Sequence, residues 1–382
     1  MAVPDKPEVF FLCTGVGKVN RGIESFFREA FDGLRTLPEI ELTLFKGGGA
    51  ECEGERVPWN LPRNNVPARL LGALVRRNGY VVEQLSSFPS MVRAIRSKRP
   101  DIVFYSDSNL GFQLFRWRKQ IGVPFRLLFS NGGPCHPPFN RTDYVQQVAP
   151  QYYDEAIAAG EAPERHRMVP YGINVPKGAP DRSAGVIVKW REKLDLPIDR
   201  PIVLSVGWIS ARHKRMDYLI NELTQLPHPR PFLVLLGAMD EQSATIIDLA
   251  RRKLGEDNFT ARSVPYDKVS GYYHSADFFV LASLQEGFGR VFLEALLHGL
   301  PVIAHDHPVM RFVLDAEGTF GDLSLPGELA TLMREILARS DTAGAASRRR
   351  TSVRDRFSWP VLAPRYRDMF FDCLKTPMRE IA

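Results

Sequence analysis

Short apolar segments alternate with stretches of helical periodicity along most of this chain. Each segment has the short length and the branched or aromatic side chains of a buried strand. The segments are 8–13, 42–45, 102–105, 125–129, 201–206, 232–236, 259–264 and 277–282. Strands separated by helices imply βαβ units, so we predict an α/β architecture built on parallel sheets. Because 382 residues exceed what one hydrophobic core usually holds, we expect two such domains.

The boundary between the two domains is expected in a segment with linker composition. Residues 175–182 are rich in proline and glycine. Such a run favours turns and irregular backbone over a helix or a strand. We therefore place the first domain at residues 1–178 and the second at residues 183–359.

The stretch 277–301 predicts a strand, a glycine-bearing turn and a helix in succession. Apolar residues recur at helical spacing after Gly289, and a glycine and a proline near the end supply a stop signal. The first backbone N–H groups of a helix have no partner within it and carry the positive end of its dipole. Because Gly287 and Gly289 lack side chains, a phosphate can approach these groups closely.

Two carboxylates bracket this turn. Glu286 lies on it, and Glu294 lies roughly one and a half turns into the helix. Since a carboxylate repels a phosphate, we expect both to accept hydrogen bonds from hydroxyls, as on a ribose and a sugar ring. The glycine turn and the paired acids together predict a site for a sugar nucleotide. An ordinary strand–helix unit with surface acids is the alternative interpretation.

The run Glu286-Gly287-Phe288-Gly289 followed by Glu294 resembles the Glu-x7-Glu signature of the retaining glycosyltransferases of family four. Ala295 and the trailing Gly299-Leu300-Pro301 strengthen the resemblance. It implies the GT-B fold, in which two Rossmann-like domains face a central cleft. In that fold the first domain binds the acceptor and the second binds the donor. A carboxyl-terminal helix, here within 360–382, crosses back to the first domain.

The loop after the strand 201–206 resembles the family's diphosphate-binding segment. Lys214 falls on the lysine that clamps the donor diphosphate in the family. Trp208 stands where the family has an arginine. Arg212 or Arg215 could compensate, since a guanidinium can hold phosphate oxygens through two hydrogen bonds.

Other donor contacts follow from the resemblance. The strand 259–264 resembles the one whose backbone holds the nucleotide base, which places Arg262 and Val264 beside the donor. The main chain of Gly287, Phe288 and Gly289 would face the diphosphate.

A glycine-rich loop, 14–24, joins a strand to a helix near the start of the chain. Gly15 and Gly17 fit the dinucleotide-binding pattern Gly-x-Gly-x-x-Gly, but the residue at the third glycine position is Asn20. The loop resembles the family's first glycine loop, so that Gly17 would touch the transferred sugar or its phosphates.

The resemblance implies transfer of a sugar from a nucleoside-diphosphate sugar, with UDP or GDP as the nucleotide, to an acceptor hydroxyl with retained configuration. The catalytic roles fall on Glu286, Lys214 and His136. His136 corresponds to the family's histidine at the donor sugar, and a structural loop histidine is the alternative. Because the chain has no Asp-x-Asp motif, we expect no metal. We also expect no cofactor, with the nucleoside-diphosphate sugar as co-substrate. Lys214, an arginine and the helix amides would stabilise the leaving diphosphate instead, while Glu286 holds sugar hydroxyls and Glu294 the ribose.

The net charge of +6 and the sequence pI of about 9.1 favour an anionic partner. Nucleic acid, anionic lipid and a phosphate-bearing substrate all fit. No segment resembles a nucleic-acid-binding module, so we expect no nucleic acid. Basic residues cluster in 67–77 and 93–99. They are either the solvated sides of amphipathic helices packed on a sheet or a face that docks on anionic lipid.

The sequence contains no apolar run of membrane-spanning length, and we expect the run 9–13 to be too short, with acidic flanks, for a signal peptide. We expect a cytoplasmic protein that can contact the inner face of the membrane. Cys13, Cys52, Cys135 and Cys373 lie far apart without a Cys-x-x-Cys pair, which argues against a zinc site or a disulfide framework. We expect them to be buried apolar residues.

Three other functions are compatible with two Rossmann-like domains and a phosphate-binding turn. A sugar-nucleotide epimerase and a glycan phosphorylase also use two Rossmann domains with phosphate sites, although the phosphorylase needs a lysine placed for a pyridoxal cofactor and a longer chain. A catalytically silent protein that binds a nucleotide sugar is the third, because Trp208 replaces the family's arginine.

Overall fold

A computed structural model describes residues 4–19, 21–74, 76–133, 135–179, 181–339 and 341–380. Asn20 in the glycine-rich loop and Pro180 in the predicted linker lie outside these residues. The chain divides into two compact units. The first unit comprises Met1–Asn174 and Phe357–Ala382, and the second comprises Val175–Arg356.

The first unit is built on a sheet whose neighbouring strands are all parallel. Its described strands are β1 (Glu8–Cys13), β2 (Glu41–Lys46), β3 (Glu55–Arg56), β4 (Ile102–Tyr105), β5 (Arg126–Asn131), β6 (Tyr144–Gln147) and β7 (His166–Met168). The order across the sheet is β3-β2-β1-β4-β5-β6-β7. This is the Rossmann order extended by one strand. The strand order, though not the strand direction, reverses between β1 and β4.

The helices of the first unit cover this sheet. They are α1 (Gly22–Leu34), α2 (Val66–Leu74), α3 (Gly79–Ser86), α4 (Phe88–Lys98), α5 (Ser108–Arg116), α6 (Arg118–Ile121) and α7 (Pro150–Ala158). In α1 the residues Phe26, Phe27, Ala30, Phe31 and Leu34 are all buried, as their spacing predicts.

Helix α2 does not bury its leucines. Leu70 is 65% exposed and Leu74 is 80% exposed, whereas only Ala68 and Gly72 are buried. The interpretation of 67–77 as a helix packed on the sheet through its apolar side is therefore wrong. In α4, by contrast, Met91 and Ile95 are buried, so the basic residues of 93–99 lie on a packed amphipathic helix.

The second unit repeats the same architecture. Its described strands are β8 (Ile202–Val206), β9 (Phe232–Leu236), β10 (Phe259–Arg262), β11 (Phe278–Leu281), β12 (Val302–His305) and β13 (Gly318–Gly321). They lie parallel in the order β10-β9-β8-β11-β12-β13, which is the Rossmann order. The predicted pair of parallel α/β sheets is thus confirmed.

The helices of the second unit are α8 (Ala184–Lys193), α9 (Met216–Leu223), α10 (Ser243–Leu254), α11 (Tyr266–Ser275), α12 (Arg290–Leu297), α13 (Pro308–Leu314), α14 (Glu328–Ala338) and α15 (Ala343–Phe357). The strand order reverses between β8 and β11. Ligands of such sheets bind at this switch point, outside the carboxyl ends of the strands. The loops that follow β8 and β11 are therefore the expected binding loops of this unit.

The carboxyl-terminal helix α16 (Trp359–Lys375) packs within the first unit, as predicted. The Trp359 side chain is buried against Phe26, with 6.3 Å between the ring centroids. A Cβ atom at Gly33 or Gly172 would lie 2.5 or 2.7 Å from the Trp359 ring. The two glycines therefore make room for this ring. Tyr366 of α16 donates a hydrogen bond to the Pro170 carbonyl at 2.9 Å.

All four cysteines are free thiols. Cys13 and Cys373 are buried, as expected. Cys52 and Cys135 are exposed, so the expectation of burial is wrong for these two, which lie on loops rather than inside a strand or a helix.

Candidate functional site

The loops after β8 and β11 meet at the switch point of the second sheet through an ion pair. Lys214 Nζ donates to Glu286 Oε1 at 2.5 Å, and the two side chains are 18% and 11% exposed. The Lys214 stem runs along Gly207, where a Cβ atom would lie 3.2 Å from Lys214 Cε. The hydrogen bond to Glu286 fixes the direction of the ammonium, because a charge-assisted hydrogen bond is strong and directional.

Helix α12 begins beside this ion pair. Its N-cap residue, Gly289, has φ 75° and ψ 46°, in the left-handed region that favours glycine. A Cβ atom there would lie 3.0 Å from both Met310 Cε and Phe292 Cδ2. The Phe288 side chain is buried, so this residue can meet a ligand only through its main chain. The predicted arrangement of a glycine turn at a helix N-terminus is present, with Gly287 half-buried.

Two tyrosines of α11 hold the second acid. Tyr273 donates its hydroxyl to Glu294 Oε2 at 3.0 Å, and Tyr266 donates to Glu294 Oε1 at 3.3 Å. Burial, together with the neighbouring Glu294 carboxylate, raises the pKa of Tyr273 well above its usual value, so its hydroxyl stays a donor. Sequence reasoning missed both tyrosines because they reach Glu294 from a different helix.

The two candidate arginines behave differently. Arg215 donates to the Leu323 carbonyl at 2.5 Å and stacks on Tyr218, with its guanidinium carbon 4.3 Å from the ring centroid. Its guanidinium is therefore engaged in holding loops together. Arg212 is exposed on the same loop. Trp208, at the family's arginine position, is 45% exposed.

The residues expected at the nucleotide base lie at the end of β10. Arg262 donates to the Leu194 carbonyl at 2.5 Å and to Thr260 Oγ1 at 3.1 Å. Its side chain therefore anchors the end of α8 to the sheet. Val264 is half-buried on the loop that leads into α11.

Gly17 and His136 belong to the first unit. Gly17 has φ 80°, and a Cβ atom there would collide with the Gly48 carbonyl. His136 is 73% exposed, with its Nδ1 atom 3.8 Å from Glu155 Oε2. The structure thus places Lys214, Glu286, the 287–289 turn and Glu294 together in the second unit, while these two predicted residues lie in the other unit.

A buried acid at the switch point of the first sheet was not predicted. Asp107 Oδ2 accepts from the Thr14 backbone N–H at 2.6 Å, and Asp107 Oδ1 accepts from the Tyr80 hydroxyl at 3.1 Å. Burial raises the pKa of Asp107. The available signal was an aspartate two residues beyond the apolar run 102–105, at the carboxyl end of a strand. This acid ties the glycine-rich loop to β4.

Within the described ranges, no group of three or more histidine, cysteine, aspartate or glutamate side chains is arranged to hold a metal ion. None of the described helices is both long enough and apolar enough to cross a bilayer.

Comparison with known sequences gives a family match in the second unit. Residues 186–351 match the family model of glycosyl transferases, group 1. The chain is 27% identical over 224 residues to a D-inositol 3-phosphate glycosyltransferase from Xylanimonas cellulosilytica, an alignment that covers 56% of this chain. The chain spans about half the length of the curated relatives it matches, 52% for this one.

Comparison with solved structures covers both units. Sucrose-phosphate synthase from Thermosynechococcus elongatus superposes with a TM-score of 0.75 over 96% of this chain and 99% of that protein, at 20% identity. HepE from Anabaena, in complex with UDP-glucose, superposes with a TM-score of 0.72 over 95% and 99%, at 18% identity. These likenesses show that the chain has the GT-B fold.

Proposed function

We propose that this protein is a retaining glycosyltransferase that transfers a sugar from a nucleoside-diphosphate sugar to an acceptor hydroxyl without a metal ion. The observation that carries the proposal is the position of Lys214. Its ammonium lies at the switch point of the second sheet, on the loop after β8, and is held by an acid on the turn that precedes α12. The match of 186–351 to group 1 glycosyl transferases supports the same activity.

The chemistry required is stabilisation of a leaving diphosphate. As the anomeric C–O bond breaks, positive charge grows on the sugar ring and negative charge grows on the diphosphate. Lys214 and the first amides of α12 supply fixed positive potential there, and Arg212 can add to it. Each such donor is worth about 3 kcal/mol in the transition state. The sequence offers no Asp-x-Asp motif, so these groups take the place of a divalent cation.

Each acid has its own role in this proposal. Glu286 orients the Lys214 ammonium and accepts hydrogen bonds from hydroxyls of the transferred sugar. Glu294, held by two tyrosines, accepts the ribose hydroxyls. The backbone near Val264 holds the base. For Gly17 and His136, which belong to the first unit, the resemblance alone implies contact with the transferred sugar.

The nucleotide is UDP or GDP in this proposal. HepE, whose fold this chain shares, was solved with UDP-glucose, which supports the first of these. The acceptor carries a hydroxyl and belongs to a glycan, a glycolipid or a small molecule.

The test is a donor panel. The purified protein is incubated with UDP-, GDP- and ADP-sugars, and the products are followed by NMR. Slow hydrolysis of one donor with retention of the anomeric configuration is the expected result. Conversion of the donor into its epimer would instead identify an epimerase. Binding of a donor without turnover, whichever acceptor is added, would identify a catalytically silent binding protein. This is the alternative suggested by Trp208, which stands where the family has an arginine.

Helix α2 favours contact with an anionic membrane. Its exposed Leu70, Leu71 and Leu74 are accompanied by exposed Arg69 and by Arg76 and Arg77 just beyond its end. Apolar side chains flanked by arginines suit the headgroup region of an anionic bilayer. The protein should co-sediment with phosphatidylglycerol vesicles but not with phosphatidylcholine vesicles. A Leu70→Ser/Leu74→Ser variant should lose this binding, whereas Ile198→Ser, which alters an exposed apolar residue of the second unit, should keep it.

A further inference from the structure

The carboxylate of Glu294 is held by two tyrosine hydroxyls that differ in their exposure. Tyr273 is 1% exposed and donates to Oε2 at 3.0 Å. Tyr266 is 43% exposed and donates to Oε1 at 3.3 Å. Both tyrosines lie on α11, Tyr266 at its first residue and Tyr273 two turns later. One oxygen of the acid is thus bound from inside the protein, and the other is bound from its surface.

The two hydrogen bonds have different consequences for a ligand. The Tyr273 ring is enclosed by the core and stacks on His298, with 5.0 Å between the ring centroids, so its hydroxyl cannot leave Glu294 without disturbing the packing. The Tyr266 ring is half in solvent, and an exposed side chain changes rotamer on a nanosecond timescale. The Tyr266 hydroxyl can therefore give up its position on Oε1 by breaking its hydrogen bond to that oxygen.

We propose that the Tyr266 hydroxyl occupies the position of one ribose hydroxyl on Glu294 and thereby determines how strongly the site distinguishes ribose from deoxyribose. This inference rests on the proposed function, because it takes Glu294 as the ribose ligand. A ribonucleotide displaces the Tyr266 hydroxyl from Oε1 and replaces it with its own. A nucleotide that lacks this hydroxyl leaves Tyr266 in place, so Glu294 keeps its second hydrogen bond. The tyrosine thus reduces the penalty for a missing sugar hydroxyl.

Removal of the Tyr266 hydroxyl has a predictable sign. In Tyr266→Phe a ribonucleotide no longer displaces a hydrogen bond when it binds, so its Kd falls by roughly 3- to 10-fold, the usual net worth of one hydrogen bond. A deoxyribonucleotide displaces nothing in either protein, so its Kd stays the same. The ratio of the deoxyribonucleotide Kd to the ribonucleotide Kd therefore rises. A purely structural tyrosine would change both constants by the same factor.

The experiment is isothermal titration calorimetry with UDP, GDP and their 2′-deoxy and 3′-deoxy analogues. The proteins are the wild type, Tyr266→Phe and a matched control, Tyr218→Phe, in which the lost hydroxyl donates to the Leu325 carbonyl instead. A higher ratio for at least one analogue in Tyr266→Phe, and in that variant alone, supports the inference. An unchanged or lower ratio overturns it, and so does an equal change in the control.

The failure of this inference can be distinguished from the failure of the proposed function. If neither nucleoside diphosphate binds the wild type, both are overturned. If one of them binds and Glu294→Ala weakens that binding while the ratio stays constant in Tyr266→Phe, only the role of Tyr266 is overturned. If Glu294→Ala has no effect on the binding, the assignment of the ribose to Glu294 is wrong and the inference is overturned with it.

Discussion

The ammonium of Lys214 and the carboxylate of Glu286 lie 2.5 Å apart although 72 residues separate them in the chain. The parallel pairing of β8 with β11 brings their loops to the same edge of the sheet. A cation and a hydroxyl acceptor are thereby fixed side by side next to a helix N-terminus. Under the proposed function this arrangement serves a sugar bonded to a diphosphate, since the sugar needs acceptors and the diphosphate needs positive charge.

Lys214→Met should remove the charge while it keeps the length of the side chain. Because the ammonium is proposed to act on the leaving diphosphate, we expect kcat for sugar transfer or donor hydrolysis to fall by roughly 10²- to 10³-fold. Lys253→Met provides a control with the same change of charge at an exposed position on α10. Similar activity in the two variants would show that Lys214 does not touch the diphosphate.

Glu294→Ala should separate recognition of the ribose from recognition of the phosphates. We expect its Kd for the nucleoside diphosphate to rise about tenfold or more, because hydrogen bonds to a charged group are lost. Its affinity for inorganic pyrophosphate, which has no ribose, should stay unchanged in the same calorimetric assay. Glu241→Ala, an exposed acid of the same unit, should alter neither affinity. An equal loss for both ligands in Glu294→Ala would contradict the assignment.

The stability of the protein should fall in mild acid because of His298. Burial lowers the pKa of this imidazole from 6.5 to about 4, and the ring lies 2.8 Å from both the Glu294 carbonyl and Ser270 Oγ. Between pH 6.5 and pH 4 the unfolded chain therefore binds a proton that the folded protein does not. This difference contributes stability that is fully present above pH 6.5 and is lost toward pH 4, on the order of 3 kcal/mol.

The measurement for His298 is the free energy of unfolding as a function of pH, from denaturant titrations. His298→Gln should show a shallower slope between pH 6.5 and pH 5 than the wild type, whatever its stability at neutral pH. His136→Gln, which changes a histidine whose side chain is 73% exposed, serves as the matched control. Parallel slopes for the wild type and His298→Gln would rule out this origin of the acid sensitivity.

Trp359→Ala should destabilise the first unit. The ring is buried against Phe26 and fills the space over Gly33 and Gly172, so truncation leaves a cavity worth about 3–5 kcal/mol. Val361→Ala on the same helix, at a position that is 42% exposed, should cost much less. Chemical unfolding of both variants measures the difference. Equal losses would mean that α16 is held by contacts other than this ring.

The regular parts of the fold could be predicted because they repeat along the sequence. The apolar runs became strands at or near their expected ends, although β10 stops at Arg262 and leaves Val264 on the loop before Pro265. The glycine turn before α12 was also predictable, since Gly289 has a conformation that few other residues adopt.

The features that were missed depend on contacts between distant elements. Helical periodicity shows that the leucines of α2 share a face but not whether this face meets the core, and Leu74 proves to be exposed. Arg215 binds the carbonyl of Leu323, 108 residues further along the chain, and no local pattern reports the position of a carbonyl group. The hydroxyl of Tyr266 reaches Glu294 from another helix for the same reason.

Helix α16 has a consequence for how the protein is made. The first unit needs the last helix of the chain to cover Phe26, whereas the residues of the second unit form one uninterrupted segment. During synthesis the ribosome therefore releases everything that the second unit needs before it releases the final piece of the first. The unit whose first residues are translated earliest is therefore the one that is completed last.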